Sequence, residues 1–408
     1  MSFQQGLSGL SAASKSLDVI GHNVSNAETV GFKRSRAEFA DVFATSLTGG
    51  ATTQVGIGVK VATVAQQFSQ GNITSTNNPL DVAINGAGFF RMSNNGSVTF
   101  TRNGQFQLDK SGYLVDSEGK RLTGYIADAS GALIKGAPTE INISTVDLKP
   151  VTTTKVSGSV NLDSRQAAMT NAGFNPSDPT TYNSSTAVSV YDSLGNSHVV
   201  QSYFVKTGPG NWSVFNTVDG TSTSALPAPN ATLTFSGTGI SPTSTPANPT
   251  FTFTPTTGAT GPQSVALNFT NSTQFGSVFS INSLKQDGYA SGQLAGFSTS
   301  KDGTIIGRYT NGQSTTLGQV VLANFANSNG LQQLGGNAWA ESSTSGPPLI
   351  GTPNSGGLGV MQSSAIEESN VDLTAELVNM ISEQRYYQAN AQTIKTQDQV
   401  LQTLVNLR

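Results

Sequence analysis

The last 39 residues of the chain, Asn370 to Arg408, contain neither glycine nor proline. Within them Leu373, Leu377, Met380, Gln384, Tyr387, Ala391, Ile394, Asp398, Leu401 and Val405 fall at alternating spacings of four and three. That spacing holds one stripe on one face of a helix. Unbroken, such a helix would run about 58 Å at 1.5 Å per residue. Ser369 and Asp372 have the spacing of a capping box, and Asn370 and Asp372 compete for the N-cap. A stripe this long needs a second helix to cover it, and Gln384 and Asp398 interrupt it where a polar group fixes register at some cost in stability.

The other end of the chain supplies the second helix. Phe3, Leu7, Leu10, Ser14, Leu17, Gly21 and Val24 repeat the same spacing. Gly6, Gly9 and Gly21 each weaken a helix by about 1 kcal/mol relative to alanine, so this segment is helical only when packed. If the two ends pair, everything between them has to leave the helical layer and return. The fold class expected is therefore α+β multidomain, a terminal α-helical coiled-coil layer carrying nested antiparallel β domains. Residues 1–28 with 364–408 form the helical polymerisation core, 29–71 a connector, 72–148 with 284–363 a split β domain, and 149–283 an inserted outer β domain.

The connector has a mixed, helix-like pattern from Phe32 to Phe43 and a Gly/Thr-rich run from Thr48 to Gly58. From Ile73 the period drops to two. Val82 to Ile84, Gly88 to Met92, Val98 to Thr101, Gln105 to Leu108 and Tyr113 to Val115 read as short strands. Asn85-Gly86, Asn95-Gly96, Asn103-Gly104 and Ser111-Gly112 sit at the breaks, and Asn-Gly is a strong hairpin signal because both turn positions need positive φ. Beyond Lys149-Pro150 the texture turns Thr/Ser/Asn/Pro-rich. Strands are still expected at Ala187 to Tyr191 and His198 to Val205, joined by a turn over 192–196, and at Leu233 to Phe235 and Phe251 to Phe253, in a loose domain with long loops. After Ser283 the tight hairpin style returns with Asp302-Gly303, Asn311-Gly312 and the strand Gln319 to Phe325, as if one β domain were split by an insertion.

Charged residues are only 11% of the chain and the net charge is −3, which gives no electrostatic footprint for nucleic acid. Lys33, Arg34 and Arg36 form the one basic cluster and read as a solvated face. No apolar run is long enough to span a bilayer, and the N-terminus lacks the pattern of a secretory signal. The absence of cysteine excludes disulfides, cysteine nucleophiles and thiolate metal sites. The two histidines, His22 and His198, have no motif partner in the sequence. Gly86-Ala87-Gly88 leads into a strand instead of a helix, so it is no dinucleotide loop. Asp109, Asp116 and Glu118 read as hairpin residues rather than a calcium loop. No catalytic residue, metal site or cofactor is expected.

Three motifs carry a specific resemblance. Leu17 to Lys33, with Asn23, Asn26, Gly31 and Phe32, resembles the N-terminal signature of the bacterial flagellar axial proteins, the rod and hook family. Ser369 to Leu373, Gln384 to Asn390, and Thr396 through Leu407 resemble that family's C-terminal helix. Asn78 to Phe90 matches its β-domain motif. One departure is His22, where the family commonly has asparagine. Rod members resemble this chain without the large insert, so residues 149–283 favour a hook subunit over a rod subunit.

The resemblance implies a homopolymer. Its inner tube would be built from the terminal helices through Phe3, Leu7, Leu10, Leu17, Val24, Leu373, Leu377, Met380, Tyr387, Ala391, Ile394, Leu401 and Val405, with the split β domain outside it and the insert outermost. It further implies a curved, flexible coupling that passes motor torque to the filament. The implied partners are the rod, the hook–filament junction proteins, the hook cap and the type III export machinery, with no nucleic acid and no membrane insertion. Export would occur without a cleaved signal peptide, to the basal body and hook at the cell exterior. Two other readings stay open: a rod subunit, and, from a different class, a secreted glycan-binding β protein.

Overall fold

The computed structural model describes residues 2–42, 56–128 and 130–406. Two helices lie at the two ends, α1 (Ser2–Ser25) and α2 (Leu373–Asn406), and among the described residues between them the regular structure is strand, joined by turns and loops, apart from three short 3-10 turns. The chain separates into two compact units. The first comprises Met1–Ser144, Gly296–Gly307 and Ser314–Arg408; the second comprises Thr145–Ala295 and Arg308–Gln313.

In the first unit, α2 starts where Asp372 accepts the Ala375 N–H at 3.1 Å, one of the two N-cap candidates. Asn370, the other, is turned away to bond elsewhere. The segment after α1 departs from its helical reading. Ser35–Val42 is strand β1, paired antiparallel with β2 (Gly58–Gln66). An isolated stretch with Ala37, Phe39 and Ala40 fits helical spacing as well as strand spacing, and the ladder to β2 decides between them. Residues 43–55, which hold the end of the helix-like stretch and residues 48–55 of the Gly/Thr-rich run, lie outside the described residues.

The larger β structure of this unit is one sheet built from both sides of the insert. Its path runs through Leu294–Thr299, Thr304–Tyr309, Ser314–Val320, Arg121–Ile126, Phe89–Asn94, Ser97–Thr101, Ala338–Ala340 and Gln332–Gly335. The join is antiparallel, with Gly318 opposite Ile126 and Val320 opposite Gly124. Phe89, Phe100, Phe325 and Trp339 fill its core edge to face. Asn95 and Gly96, at φ 50° and 93°, turn the Phe89–Asn94 and Ser97–Thr101 hairpin as expected. Asn85-Gly86 does not make a hairpin, because Val82–Asn85 pairs with Val360–Ser363 from the far end of the chain. Asn103-Gly104 does not either: the Gly104 carbonyl accepts the Val82 N–H at 2.9 Å.

The second unit packs two sheets on one core. One sheet has the order Thr250–Phe253, Gln263–Asn268, Lys155–Asn161, Ser280–Gln286. The other runs Ser184–Tyr191, Ser197–Gly208, Asn211–Val218, Ala231–Thr234, Thr243–Thr245. Val156, Val200, Phe204, Trp212, Phe251 and Val265 meet between them, and Phe174 stacks on Phe215 on the far face of the second sheet. The unit is therefore tighter than its Pro/Thr-rich sequence suggests. Its two chain ends run side by side: Leu148 bonds Gly292, and Val151 bonds Tyr289, in both directions.

A close approach fixes where the strand after Ser97–Thr101 can lie. A Cβ on Gly104 would overlap the Val82 carbonyl oxygen. Gly104→Ala should destabilise the first unit by about 1–3 kcal/mol, seen as a drop of several degrees in its thermal midpoint. Gly136→Ala, where a Cβ meets nothing within 4 Å, should leave the midpoint unchanged.

Candidate functional site

The terminal helices pair antiparallel. Their seam differs from the stripe read in the sequence by one residue. On α1 the buried positions are Gly6, Ala13, Ser16, Ile20 and Asn23, with Gly9 half-buried between them. A Cβ on Gly6 would stand 3.1 Å from Ile394 Cγ1, and one on Gly9 would stand 2.7 Å from the Asn390 side-chain oxygen. The glycines that weaken the isolated helix are thus what lets the two backbones come close. On α2 the more covered positions are Glu376, Met380, Glu383, Asn390, Ala391, Ile394 and Gln397. Met380, Ala391 and Ile394 from the predicted stripe face the seam, whereas Phe3, Leu7, Leu373, Leu377, Leu401 and Val405 remain about half exposed or more, and Tyr387 is 38% exposed. Leu10, Leu17 and Val24 are half-buried at the flank. Because Gly6 lies opposite Asn390 and Ile394, the last turns of α2, with Leu401 and Val405, run past the first described residue of α1.

The pair is tied to the β structure by a buried polar joint. Asn23, on the seam, exchanges two bonds with the Ser35 backbone at 2.8 and 2.9 Å and reaches Glu376 at 3.4 Å. Arg34 Nε stands 3.2 Å from the same carboxylate. Asn370 accepts the Arg34 N–H at 2.7 Å and donates to the Gln67 carbonyl at 2.7 Å. Glu367 is the centre. Its carboxylate has no exposure and accepts from Lys33 Nζ at 2.6 Å, the Gly71 N–H at 3.0 Å and Arg102 Nη1 at 3.1 Å. Its backbone carbonyl takes the Gly31 N–H at 2.8 Å. Lys33 is fully buried and also donates to the Ser69 carbonyl, so it is not part of a solvated basic face. Burial pulls its ammonium below the ordinary lysine range against the opposing pull of Glu367, and burial lowers Arg102 in the same way. Arg102 also donates to the Gly86 carbonyl and lies 5.3 Å from the Phe89 ring centroid.

None of Glu367, Arg102 or Glu376 stood out in the sequence as a site residue, since the partners of each are hundreds of residues away. Lys33 read as part of a solvated basic cluster and Asn370 as an N-cap candidate, and neither reading pointed to this joint.

The histidines behave differently from each other. His22 is exposed on α1 with its ring 5.4 Å from that of Phe32. His198, in the second unit, has two partners after all: Nδ1 is 2.6 Å from Asp219 Oδ2, and Nε2 is 3.4 Å from Asp192 Oδ2. A cleft lies beside it, lined by Asp219, Thr221, Phe253 and Thr254 among others. Both ring nitrogens face carboxylates, which leaves none to serve a nucleophile. Among the described residues no group of three or more acidic, His or Cys side chains has the arrangement to hold a metal ion, and no helix is long and apolar enough to cross a membrane.

Asp192 gives the second unit a pH dependence. Burial acts to raise its carboxyl, but bonds from Thr257, Asn196 and the N–H groups of Asn196 and Leu194 outweigh burial and hold it well below the usual carboxylate range. A depressed carboxyl stabilises the fold above its unfolded pKa, about 3.9, and that stability is lost as pH falls through the folded value. The thermal midpoint of the second unit should hold steady down to about pH 4 and then fall. Asp192→Asn should lower the midpoint at neutral pH and flatten the fall between about pH 4 and 2.

Four family profiles match in order along the chain: "Flagella basal body rod protein" over residues 3–33, "Flagellar hook protein FlgE/F/G D1 domain" over 83–163, "Flagellar basal body protein FlaE D2 domain" over 161–289, and "Flagellar basal body rod FlgEFG protein C-terminal" over 362–407. The chain is 45% identical to the flagellar hook protein FlgE of Escherichia coli (strain K12) and 46% identical to that of Salmonella typhimurium, each over 100% of both chains. It is 33% identical to FlgE of Borreliella burgdorferi over 100% of this chain and 99% of the relative. Among solved structures, the crystal structure of Helicobacter pylori flagellar hook protein FlgE2 shares the fold with a TM-score of 0.53 at 16% identity, covering 72% of this chain and 99% of that one.

Forcing the helix seam apart tests its geometry. Gly6→Leu should displace α2 from α1, and both β units should keep their thermal midpoints while the far-ultraviolet helical signal falls. A helical signal equal to that of the parent chain would contradict the close-packed seam.

Proposed function

The chain belongs to the flagellar hook protein family and is a structural subunit of the bacterial flagellar hook, outside the cell; from that premise we propose that it polymerises through the apolar stripe its terminal helices leave uncovered. The stripe read from the sequence is Phe3, Leu7, Leu10, Leu17 and Val24 on α1 and Leu373, Leu377, Met380, Tyr387, Ala391, Ile394, Leu401 and Val405 on α2, of which Phe3, Leu7, Leu373, Leu377, Tyr387, Leu401 and Val405 are the exposed members. The observation that carries the reading is the exposure of large apolar side chains on both helices, from 38% at Tyr387 to 74% at Val405. Fully burying one such side chain contributes about 1.5–3 kcal/mol, so several per subunit, repeated along a polymer, supply a strong drive to associate. Met380, Ala391 and Ile394 brace the seam from within and belong to the surface only at its edge.

The helical pair would form the inner tube, the split β sheet the middle layer and the inserted unit the outermost one. The paired strand ends at Leu148–Gly292 and Val151–Tyr289 support an insertion that leaves and re-enters its host at neighbouring points. The subunit would act without catalysis. It would meet the rod at one end of the polymer and the junction to the filament at the other, with the hook cap and type III export machinery engaged during assembly. Export as an unfolded thread is compatible with a chain that has no cysteine and a first helix too weak to persist unpaired.

Two variants separate the layers. Leu401→Asp would put an unpaired charge into the helical contact of every subunit, at a cost of several kcal/mol. Polymerisation should be lost while the thermal midpoints of both β units stay put, and normal polymer would sink the stripe. Replacing residues 149–283 by a short Gly/Ser linker should leave a foldable host that still polymerises but with changed curvature in negative-stain images, because an outermost layer has the most leverage on bending. Loss of all folded host would disprove the nesting.

A further inference from the structure

The joint centred on Glu367 does more than close the fold. It gathers the segment after α1 (Gly31, Lys33, Arg34), the segment after β2 (Gln67, Ser69, Gly71), Arg102 at the end of a β-domain strand, and the six residues before α2. The bonds point in different directions. Lys33 and Gly71 reach Glu367 from the connector side and Arg102 from the sheet. The Asn370 amide and the Arg34–Glu376 contact hold the first turn of α2 against the segment that leads into β1. A rotation about any single strand would break bonds on the others.

We infer that Glu367, held between Lys33 and Arg102, is a positioning residue for assembly: it fixes the direction in which the terminal helix pair leaves the β sheet, and thereby the geometry of the polymer. Leverage makes this matter. α2 has 34 residues and is about 51 Å long, so a tilt of about 10° at its base moves its far end, where Leu401 and Val405 lie, by about 9 Å. That is roughly one interhelical distance, enough to take the stripe out of register with a neighbour. Buried ion pairs are also screened little by salt, so the direction they set holds where surface pairs would loosen. Two cations answer one carboxylate here, and this determines which substitution is informative. Lys33→Met leaves the neutral Arg102–Glu367 pair and the Gly71 N–H bond in place and removes the ammonium's ties to Ser69 and Glu367. Glu367→Gln leaves two buried cations without a counter-charge.

This inference rests on the reading of the terminal helices as the assembly surface, and its test has a readout blind to that surface. Because the chain has no cysteine, cysteines introduced as Lys110→Cys, in the exposed turn joining the paired strands Gln107–Leu108 and Leu114–Val115, and Gln392→Cys on α2 can carry a pair of spin labels alone. The label-to-label distance is measured in the full chain by pulsed electron resonance, with polymer curvature read by microscopy. The parent chain should give one narrow distance. Lys33→Met and Glu367→Gln should each shift or broaden it, with native curvature lost or polymer absent. If Glu367→Gln does not fold, Lys33→Met carries the test. An unchanged distance overturns the inference whatever the polymer does, and so does native curvature despite a shifted distance. Failure of the assembly surface itself would show separately, as normal polymer from Leu401→Asp.

Discussion

A carboxylate with no access to water has to be answered by cations and donors placed to meet it, or it will not stay charged. Glu367 is such a group, and its two cations lie 334 and 265 residues earlier in the chain. The bonds that satisfy it can form only when the segment leaving the first helix, the sheet and the segment leading into the last helix converge. Much of the architecture follows from that closure. The chain must go out through two β units and come back, which is why strands from both sides of the insert share one sheet and why Val82–Asn85 pairs with Val360–Ser363.

The helical layer obeys a complementary rule. Its seam uses Gly6, Gly9, Ala13 and Ser16, residues that bury little apolar area but permit close approach, and so the large side chains on both helices remain to the side. A protomer built this way is under-covered by design of its sequence. Leu7, Leu377, Leu401 and Val405 stay exposed in the single chain, which suits the proposed role as one subunit of many. The scarcity of charge leaves few long-range repulsions to oppose that contact.

Some of this was legible in the sequence and some was not, for identifiable reasons. The final helix declared itself by period and by the absence of glycine and proline, and Asp372 by capping. The hairpin at Asn95-Gly96 followed from turn chemistry. The seam was misread by one position because the apolar pattern weights leucine over glycine, whereas close packing here prefers glycine. Ser35–Val42 was misread as helix because a β-bulge between Glu38 and Phe39 shifts the alternation of the half-covered strand midway. Asn85-Gly86 signalled a hairpin that the return of the chain at Val360 pre-empts. Lys33 looked solvated because the carboxylate that meets it lies 334 residues away, whereas His198 looked solitary although Asp192 and Asp219 stand at turns only 6 and 21 residues off, brought to it by the hairpin pairing of its own sheet. Long-range pairing of charges is the part of a fold that periodicity cannot carry.

On the proposed reading, the side chains left uncovered by the helix pair are the ones that meet neighbouring subunits, presented in a direction set by the Glu367 joint. A side-chain-resolution helical reconstruction of polymer grown from the pure chain tests it most directly. The account predicts Phe3, Leu7, Leu401 and Val405 buried against adjacent copies, with Lys33 and Arg102 still in contact with Glu367 in every subunit. Those four side chains facing solvent or the channel, or a joint broken on assembly, would contradict it.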